Sequence, residues 1–297
     1  AITSTPDRPP AIVVGNAAAG FGSHLIESNP QLADVARAET RVLRWTSSDG
    51  LSIEGILVLP PDADGKPFPL IVEPHGGPHG GARDMAFRQE WQYFAAEGFG
   101  IFSPNFRGSD GYGRAFAHGN FADWGGGDYD DIMTGLDTLI AQGVADPERL
   151  VVAGWSYGGY MTAWMISQTD RFKAAMCGCG ISNAFSMYGT TDIPRFMSMY
   201  FGDSSPAEQA ALYRERSGLS HAAAITTPTL ILHGEEDRRV PISQSEELHA
   251  LLKATGVETE FVRYPREGHG ISDPRHRLDL LRRQVAWYRR HLGMDSN

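Results

Sequence analysis

From Arg41 onward, short apolar and β-branched runs bounded by Gly, Pro, Asp and Ser alternate with stretches whose apolar residues recur every three or four positions. The first pattern predicts strands and the second amphipathic helices. Residues 41–46 and 51–59 read as an antiparallel hairpin at a sheet edge, joined by the turn Ser47-Ser48-Asp49-Gly50. Residues 70–73, 100–103, 150–153, 174–177, 229–232 and 260–264 read as short buried strands, which brings the total to about eight. Helices are expected over residues 85–97, 129–141, 157–168, 244–255 and 275–291. In the last of these, Leu278, Leu281, Val285 and Leu292 repeat at helical spacing with arginines between them, so one face docks on the sheet. Strands alternating with helices predict an α/β fold with a mostly parallel sheet and helices on both faces.

Two segments break the alternation. Residues 185–220 are rich in Phe, Met and Tyr and interrupted by Pro194 and Pro206, and read as an irregular insertion above the sheet. Residues 1–39 offer one strand candidate, 11–14, amid Pro, Gly and Ser. A single strand does not make a domain, so 1–39 is expected to be an arm or a remnant, with one catalytic-type domain over 40–297. A strand without sheet neighbours favours pairing between copies, and self-association is expected on that ground.

Composition narrows the function. The 297 residues are 41% hydrophobic, enough for a large core, yet no run approaches the ~18 apolar residues a spanning helix needs. A net charge of −10 with scattered arginines disfavours nucleic acid, leaving a peptide or small molecule as ligand. Cys177 and Cys179 are too close for an ordinary disulfide and too few for a zinc site, and read as core residues. No leader pattern is visible, and the chain opens on Ala1 rather than Met; a cytoplasmic location is favoured without the compartment being fixed.

Gly154-Trp155-Ser156-Tyr157-Gly158 is a G-x-S-x-G pentapeptide. Such a pattern is common in a glycine-rich chain, but here a strand runs into it and a helix leaves it, as a nucleophile elbow requires. A serine in that turn needs neighbours without side chains, and the helix N-terminus favours developing negative charge. The serine also needs a base, and the base an orienting carboxylate, in the order Ser, Asp or Glu, His. His233-Gly234-Glu235-Glu236-Asp237 follows one strand and Pro265-Arg266-Glu267-Gly268-His269-Gly270 follows the next, so the order is satisfied. Position singles out His269 as the base; Asp237 is preferred as the acid, although the spacing separates it poorly from Glu235 and Glu236. Oxyanion donors are expected from the backbone N–H of Tyr157 and from Gly77 in Pro74-His75-Gly76-Gly77-Pro78. His75 and His79 lack a nearby third ligand, and neither a metal nor a cofactor is required.

At these residues the chain resembles the prolyl oligopeptidase family of serine peptidases, and most closely its acylaminoacyl-peptidase branch. The matching stretches, in order, are His75-Gly76-Gly77-Pro78, the run from Asn105 to Gly113, Gly154 to Tyr160, the loop from His233 to Asp237, and Gly268-His269. The resemblance implies an α/β-hydrolase domain with Ser156, Asp237 and His269 as triad and Gly77 with Tyr157 as oxyanion hole. It also implies that Arg239 binds a substrate carbonyl on the acyl side, a task suited to a guanidinium fork. Full-length members carry an N-terminal β-propeller. None is visible here, so a catalytic-domain fragment, or a relative without the propeller, is expected. The aromatic insertion, with Phe185, Tyr188 and Phe196, is read as shaping an apolar substrate pocket. The leading expectation is hydrolysis of N-acylated amino acids or short peptides through an acyl-enzyme. The alternatives are a carboxylesterase for short-chain esters and a non-catalytic α/β-hydrolase binding module.

Overall fold

The computed structural model describes residues 1–16, 20–26, 29–32 and 35–294. The N-terminal segment forms an antiparallel sheet of β1 (Ile2–Thr5), β2 (Arg8–Asn16) and β3 (Gly20–Ile26). The lone strand expected at 11–14 therefore lies inside β2 and is paired on both sides. Pro9, Pro10 and the glycines hide these strands from propensity reading, because mutual pairing rather than β-branched composition forms them. The small sheet is tied to the main domain: Ser4 Oγ accepts from the Phe87 N–H, and Gln92 donates to the Pro6 carbonyl while accepting from the Ala38 N–H.

The main sheet is built from β4 (Glu39–Thr46), β5 (Ser52–Leu59), β6 (Phe68–Val72), β7 (Gly100–Asn105), β8 (Ala145–Trp155), β9 (Ala174–Gly178), β10 (Thr229–Gly234) and β11 (Thr259–Tyr264). Their spatial order is β11-β10-β9-β8-β6-β7-β5-β4. The β4–β5 hairpin is the antiparallel edge, β5 also runs antiparallel to β7, and the other pairs are parallel. Side chains alternate between two cores, as the strand repeat of two demands. Leu70, Val72, Leu150, Val152 and Ile231 enter one core, and Ile71, Val151, Ala153, Leu230 and Leu232 the other.

Helices cover both faces. α1 (Gln89–Ala96) precedes a single turn, α2 (Arg114–Ala117), followed by α3 (Gly127–Ala141) and α4 (Tyr157–Gln168). The insertion folds as α5 (Ala184–Thr190), α6 (Pro194–Tyr200), α7 (Ala210–Glu215) and a 3-10 segment, Gly218–Ala224; α8 (Ser243–Ala254) and α9 (Pro274–His291) complete the chain. Trp91 and Phe94 of α1 and Val285, Trp287 and Tyr288 of α9 fill one core; residues of α3, α4 and α8 fill the other. This is the α/β-hydrolase arrangement. Helix α4 is buried around its whole circumference from Tyr157 to Ser167, which explains its nearly unbroken apolar sequence.

With 11–14 paired on both sides, the ground for expecting self-association is gone, and two further expectations change. Helix α1 begins four residues later than residue 85, because 82–87 are held as a loop. There Asn105 Oδ1 accepts from the Arg83 N–H, Asp110 Oδ1 from Ala82 and Asp84 Oδ1 from Ala86. The insertion is helical rather than irregular: Asn183 caps α5 by accepting from the Phe185 and Ser186 N–H groups, and Pro194 occupies the first turn of α6.

Candidate active site

The site lies at the C-terminal ends of β8, β10 and β11, where a parallel sheet presents its loops. Ser156 stands between β8 and α4 with φ 62 and ψ −118, a strained conformation for a residue with a side chain. The turn is tight enough to dictate its neighbours. A Cβ on Gly154 would lie 2.3 Å from the Gly158 carbonyl oxygen, and one on Gly158 would lie 2.1 Å from that of Pro74. Tyr157 opens α4, so its N–H lies among the helix donors that have no intrahelical partner.

Asp237 sits three residues past the end of β10, and His269 in the loop between β11 and α9. The structure brings both to Ser156. His269 Nε2 is 2.9 Å from Ser156 Oγ, and Nδ1 is 2.7 Å from Asp237 Oδ2. The chemically productive tautomer has Nδ1–H donating to the carboxylate and Nε2 accepting from the serine hydroxyl. The other oxygen of Asp237 accepts from the backbone N–H of Arg239 at 2.9 Å and of Val240 at 3.0 Å. Burial pushes the Asp237 pKa up, but hydrogen bonds from His233 and His269, then the charge of His269, outweigh it and hold the carboxyl well below its usual range. The carboxyl is therefore ionised wherever the site works. Of the three acids in this loop, Glu235 pairs with Arg263 at 3.2 Å and Glu236 is exposed.

Two contacts fix the histidine loop. Trp155, beside Ser156, donates its indole N–H to the His269 carbonyl at 2.8 Å. A Cβ on Gly234 would lie 2.3 Å from the Gly268 carbonyl oxygen, so the glycine of His233-Gly234 is required by the close approach of the histidine loop, whereas a Cβ on Gly268 would meet open space. Glu267 ties the loop to the start of α9, accepting from Ser272 N–H (2.8 Å) and Oγ–H (2.9 Å), Asp273 N–H (2.9 Å) and His276 Nδ1 (2.8 Å). Burial raises its pKa, and these donors more than reverse that, to about 2.

Glu267→Gln tests this anchor. The amide can satisfy only one side of the cluster, so Tm at neutral pH is expected to fall by about 3–10 °C, the loss of one or two charge-assisted bonds. Because the folded pKa is depressed, this carboxylate's contribution is complete above the ordinary value of 4.5 and lost as pH falls toward about 2. The difference in Tm between the two proteins should therefore shrink over that window. A constant difference measured by calorimetry from pH 7 down to 3 would contradict the assignment.

The loop Pro74 to Pro78 lies against Ser156: a Cβ on Gly76 would be 3.4 Å from Ser156 Cβ. Gly77 follows at φ +121, where a side chain would also meet the His79 backbone. His75 is buried, stacked on Phe106, and bonded through Nε2 to Ser109 Oγ at 2.7 Å, so the run from Asn105 to Gly113 braces this loop from below. Burial lowers the His75 pKa to about 3, keeping it neutral. Beneath the elbow, the Tyr157 hydroxyl donates to Asp128, a fully buried carboxyl whose pKa burial raises to about 7.

Arg239 is only partly engaged. Its Nε donates to Asp192 Oδ1 at 2.7 Å, joining the acid loop to the insertion. The three aromatic candidates are placed differently. Phe185 is exposed with the Arg214 guanidinium over its ring, Tyr188 meets Tyr213 edge-on, and Phe196 packs on Tyr200 and Trp124. Cys177 and Cys179 are buried and unbridged, as core residues; the Cys179 thiol, however, lies against Asp237, a neighbour that residue spacing does not reveal. Sequence reasoning also missed Trp155, His233 and Glu267, whose partners are far along the chain or, for Glu267 and His233, look like ordinary loop and core residues.

Comparison with known proteins places this geometry. Residues 85–295 match the model of the prolyl oligopeptidase family. The chain belongs to that family. Among curated relatives of this prolyl oligopeptidase family chain, the uncharacterized peptidase YuxL of Bacillus subtilis is 41% identical over 84% of the chain and 39% of its own length. The acylamino-acid-releasing enzyme of Arabidopsis thaliana is 34% identical over 77% of the chain and 31% of its own length. The chain thus spans well under half of these relatives. Among solved structures, acylaminoacyl peptidase of Pyrococcus horikoshii superposes on all of the chain with a TM-score of 0.91 at 32% identity, using 48% of its own length. A puromycin-hydrolyzing peptidase of Mycobacterium tuberculosis gives 0.91 at 31% identity, over 98% of this chain and 45% of its own. Among the described residues no helix is long and apolar enough to cross a membrane.

Proposed function

We propose that the chain carries the catalytic unit of a serine peptidase that removes N-acylated amino acids from short peptides through an acyl-enzyme on Ser156. The observation that carries this reading is the unbroken hydrogen-bond chain from Ser156 Oγ through His269 to a buried, ionised Asp237. Ser156 Oγ attacks the carbonyl carbon while its proton passes to His269 Nε2, and Asp237 stabilises the imidazolium. The backbone N–H groups of Tyr157 and Gly77 receive the oxyanion. Collapse of the tetrahedral intermediate breaks the C–N bond, with His269 returning the proton to the leaving amine. Water, deprotonated by the same ring, then releases the acid.

The substrate class rests on the acylaminoacyl peptidases among the similar structures, and on Arg239. With Nε held by Asp192, the terminal nitrogens of that guanidinium make no bond among the described residues and suit a carbonyl on the acyl side. Residues 1–39 act in this reading as an arm joined to the catalytic unit.

The test compares an N-acetyl-aminoacyl anilide, the same anilide with a free amine, and a short-chain p-nitrophenyl ester. The acetylated anilide is expected to give the highest kcat/KM, and Arg239→Ala should lower that value about tenfold, chiefly through KM, with less effect on the ester. Turnover of the ester alone would replace this reading with that of a carboxylesterase.

A further inference from the structure

His233 is the penultimate residue of β10 and is completely buried, and the acyl transfer from Ser156 does not use it. Its ring has a partner at each nitrogen. Nδ1 is 2.6 Å from Ser245 Oγ on α8. Nε2 is 2.8 Å from the Val240 carbonyl oxygen and 3.3 Å from Asp237 Oδ2. Two oxygens that can only accept face Nε2, so this nitrogen must carry the proton. Nδ1 is then the acceptor in a neutral ring, with the Ser245 hydroxyl donating to it.

Asp237 thereby gains a polar N–H contact outside the relay: at 3.3 Å it is the longer arm of an Nε2–H whose shorter hydrogen bond runs to the Val240 carbonyl. Its side chain is shut off from solvent, so each lone pair needs a donor from the protein. Oδ1 has the two backbone N–H groups of Arg239 and Val240. Oδ2 has His269 on one side and His233 on the other. The remaining titratable neighbour, the Cys179 thiol, is pushed well above its ordinary value by burial and stays uncharged.

We propose that His233 is a positioning residue for the reaction: its Nε2–H, oriented by Ser245, is a second imidazole donor on the oxygen of Asp237 that serves His269. The proposal rests on the reading of Ser156, Asp237 and His269 as the relay. A carboxylate gripped at both oxygens stays in the plane that keeps the His269 ring aimed at Ser156. The shared Nε2–H also withdraws charge from Oδ2 and so moderates the basicity of His269. Without it, more negative charge would face His269 and the imidazolium would be stabilised before substrate arrives. The acid limb of the pH–rate profile would then move to higher pH.

The experiment measures kcat and KM against pH for the full chain and for His233→Leu, His233→Gln, Ser245→Ala and Ser156→Ala. A glutamine amide can place a donor where Nε2 stands; leucine matches the volume and supplies none. His233→Leu is expected to lose about 10–100-fold in kcat with KM within about threefold, the effect of removing one bond to a charged group. Its acid limb should rise by about half a pH unit. His233→Gln should recover to within about fivefold of the parent, and Ser245→Ala should fall between the two. Equal losses in Leu and Gln with an unmoved acid limb would make His233 a packing residue and overturn the proposal. So would parent-like kinetics in His233→Leu.

Should the leucine variant not fold, Gln and Ser245→Ala decide, together with nitrogen-15 NMR of the histidine rings in the parent protein. That spectrum should show His233 as the Nε2–H tautomer, and an Nδ1–H tautomer would refute the argument. Full turnover in Ser156→Ala would instead sink the underlying relay. An inactive Ser156→Ala beside a parent-like His233→Leu would sink only the role of His233.

Discussion

Ser156→Ala is expected to lower kcat by about 10⁴-fold or more on every substrate the chain turns over, and to abolish covalent labelling by a fluorophosphonate. The geometry makes the serine irreplaceable in a specific way. The elbow holds Oγ 2.9 Å from His269 Nε2 at a backbone conformation of φ 62, and among the described residues no other hydroxyl is hydrogen-bonded to that nitrogen. The fold should tolerate the change, because the hydroxyl makes no bond that caps α4. Tm is therefore expected to stay within about 2 °C of the parent while activity disappears, a combination that separates chemistry from folding. Labelling of the alanine variant at the parent rate would place the nucleophile elsewhere and would dismantle the proposed function. Failure of the parent to label at all would favour a binding module built on the same fold.

Much of this site was legible in the sequence because the elbow, the acid and the base each lie within a few residues of a strand end. Strand-loop-helix order is encoded locally: Gly154 and Gly158 announce the close approach, and the order Ser156, Asp237, His269 follows the order of β8, β10 and β11. The inner strands of the main sheet, β5 to β10, could be read because buried strands need continuous apolar runs, whereas the edge strands β4 and β11 leave most residues at least partly exposed, so 260–264 is not the buried strand expected. What could not be read depends on how loops fold back to place donors around a side chain, and on partners brought from other strands. The choice of Asp237 over Glu235 and Glu236 is made by the Arg239 and Val240 amides, by His233, and by where β11 delivers His269. The insertion looked irregular because its helices are too short to show periodicity; caps and aromatic packing, such as Phe201 stacked on Tyr213, hold them. The strands of the N-terminal sheet have weak intrinsic preference and exist through pairing with each other. Glu267 reads as an ordinary loop acid until the start of α9 folds back to present four donors to it.

Asp237→Asn tests the other end of the relay and carries the second large effect, an expected loss of about 10³–10⁴-fold in kcat. The amide has no comfortable orientation in this site. With its oxygen at the Oδ1 position it keeps the Arg239 and Val240 N–H bonds, but its NH2 group then faces His269 Nδ1 and His233 Nε2–H. Turned over, the NH2 group meets the two backbone donors instead. Backbone amides cannot give up their protons, whereas His269 can change tautomer, so the first orientation prevails. His269 then accepts at Nδ1 and carries its proton on Nε2, facing a serine it can no longer deprotonate. The imidazolium formed in the transition state also loses its counter-charge. KM should change little, since the Asp237 side chain is shut off from solvent, and fluorophosphonate labelling should slow in parallel with turnover. The depressed pKa of the parent carboxyl adds a further expectation. Asp237 stays ionised through the acid range, so a decline of the parent's activity at low pH is not expected to follow protonation of this carboxyl. Activity of Asp237→Asn within tenfold of the parent would show that Asp237 only anchors its loop. Glu235→Gln and Glu236→Gln, whose side chains lie outside the relay, are expected to remain within about threefold of the parent, which makes the trio a direct comparison of position against residue type.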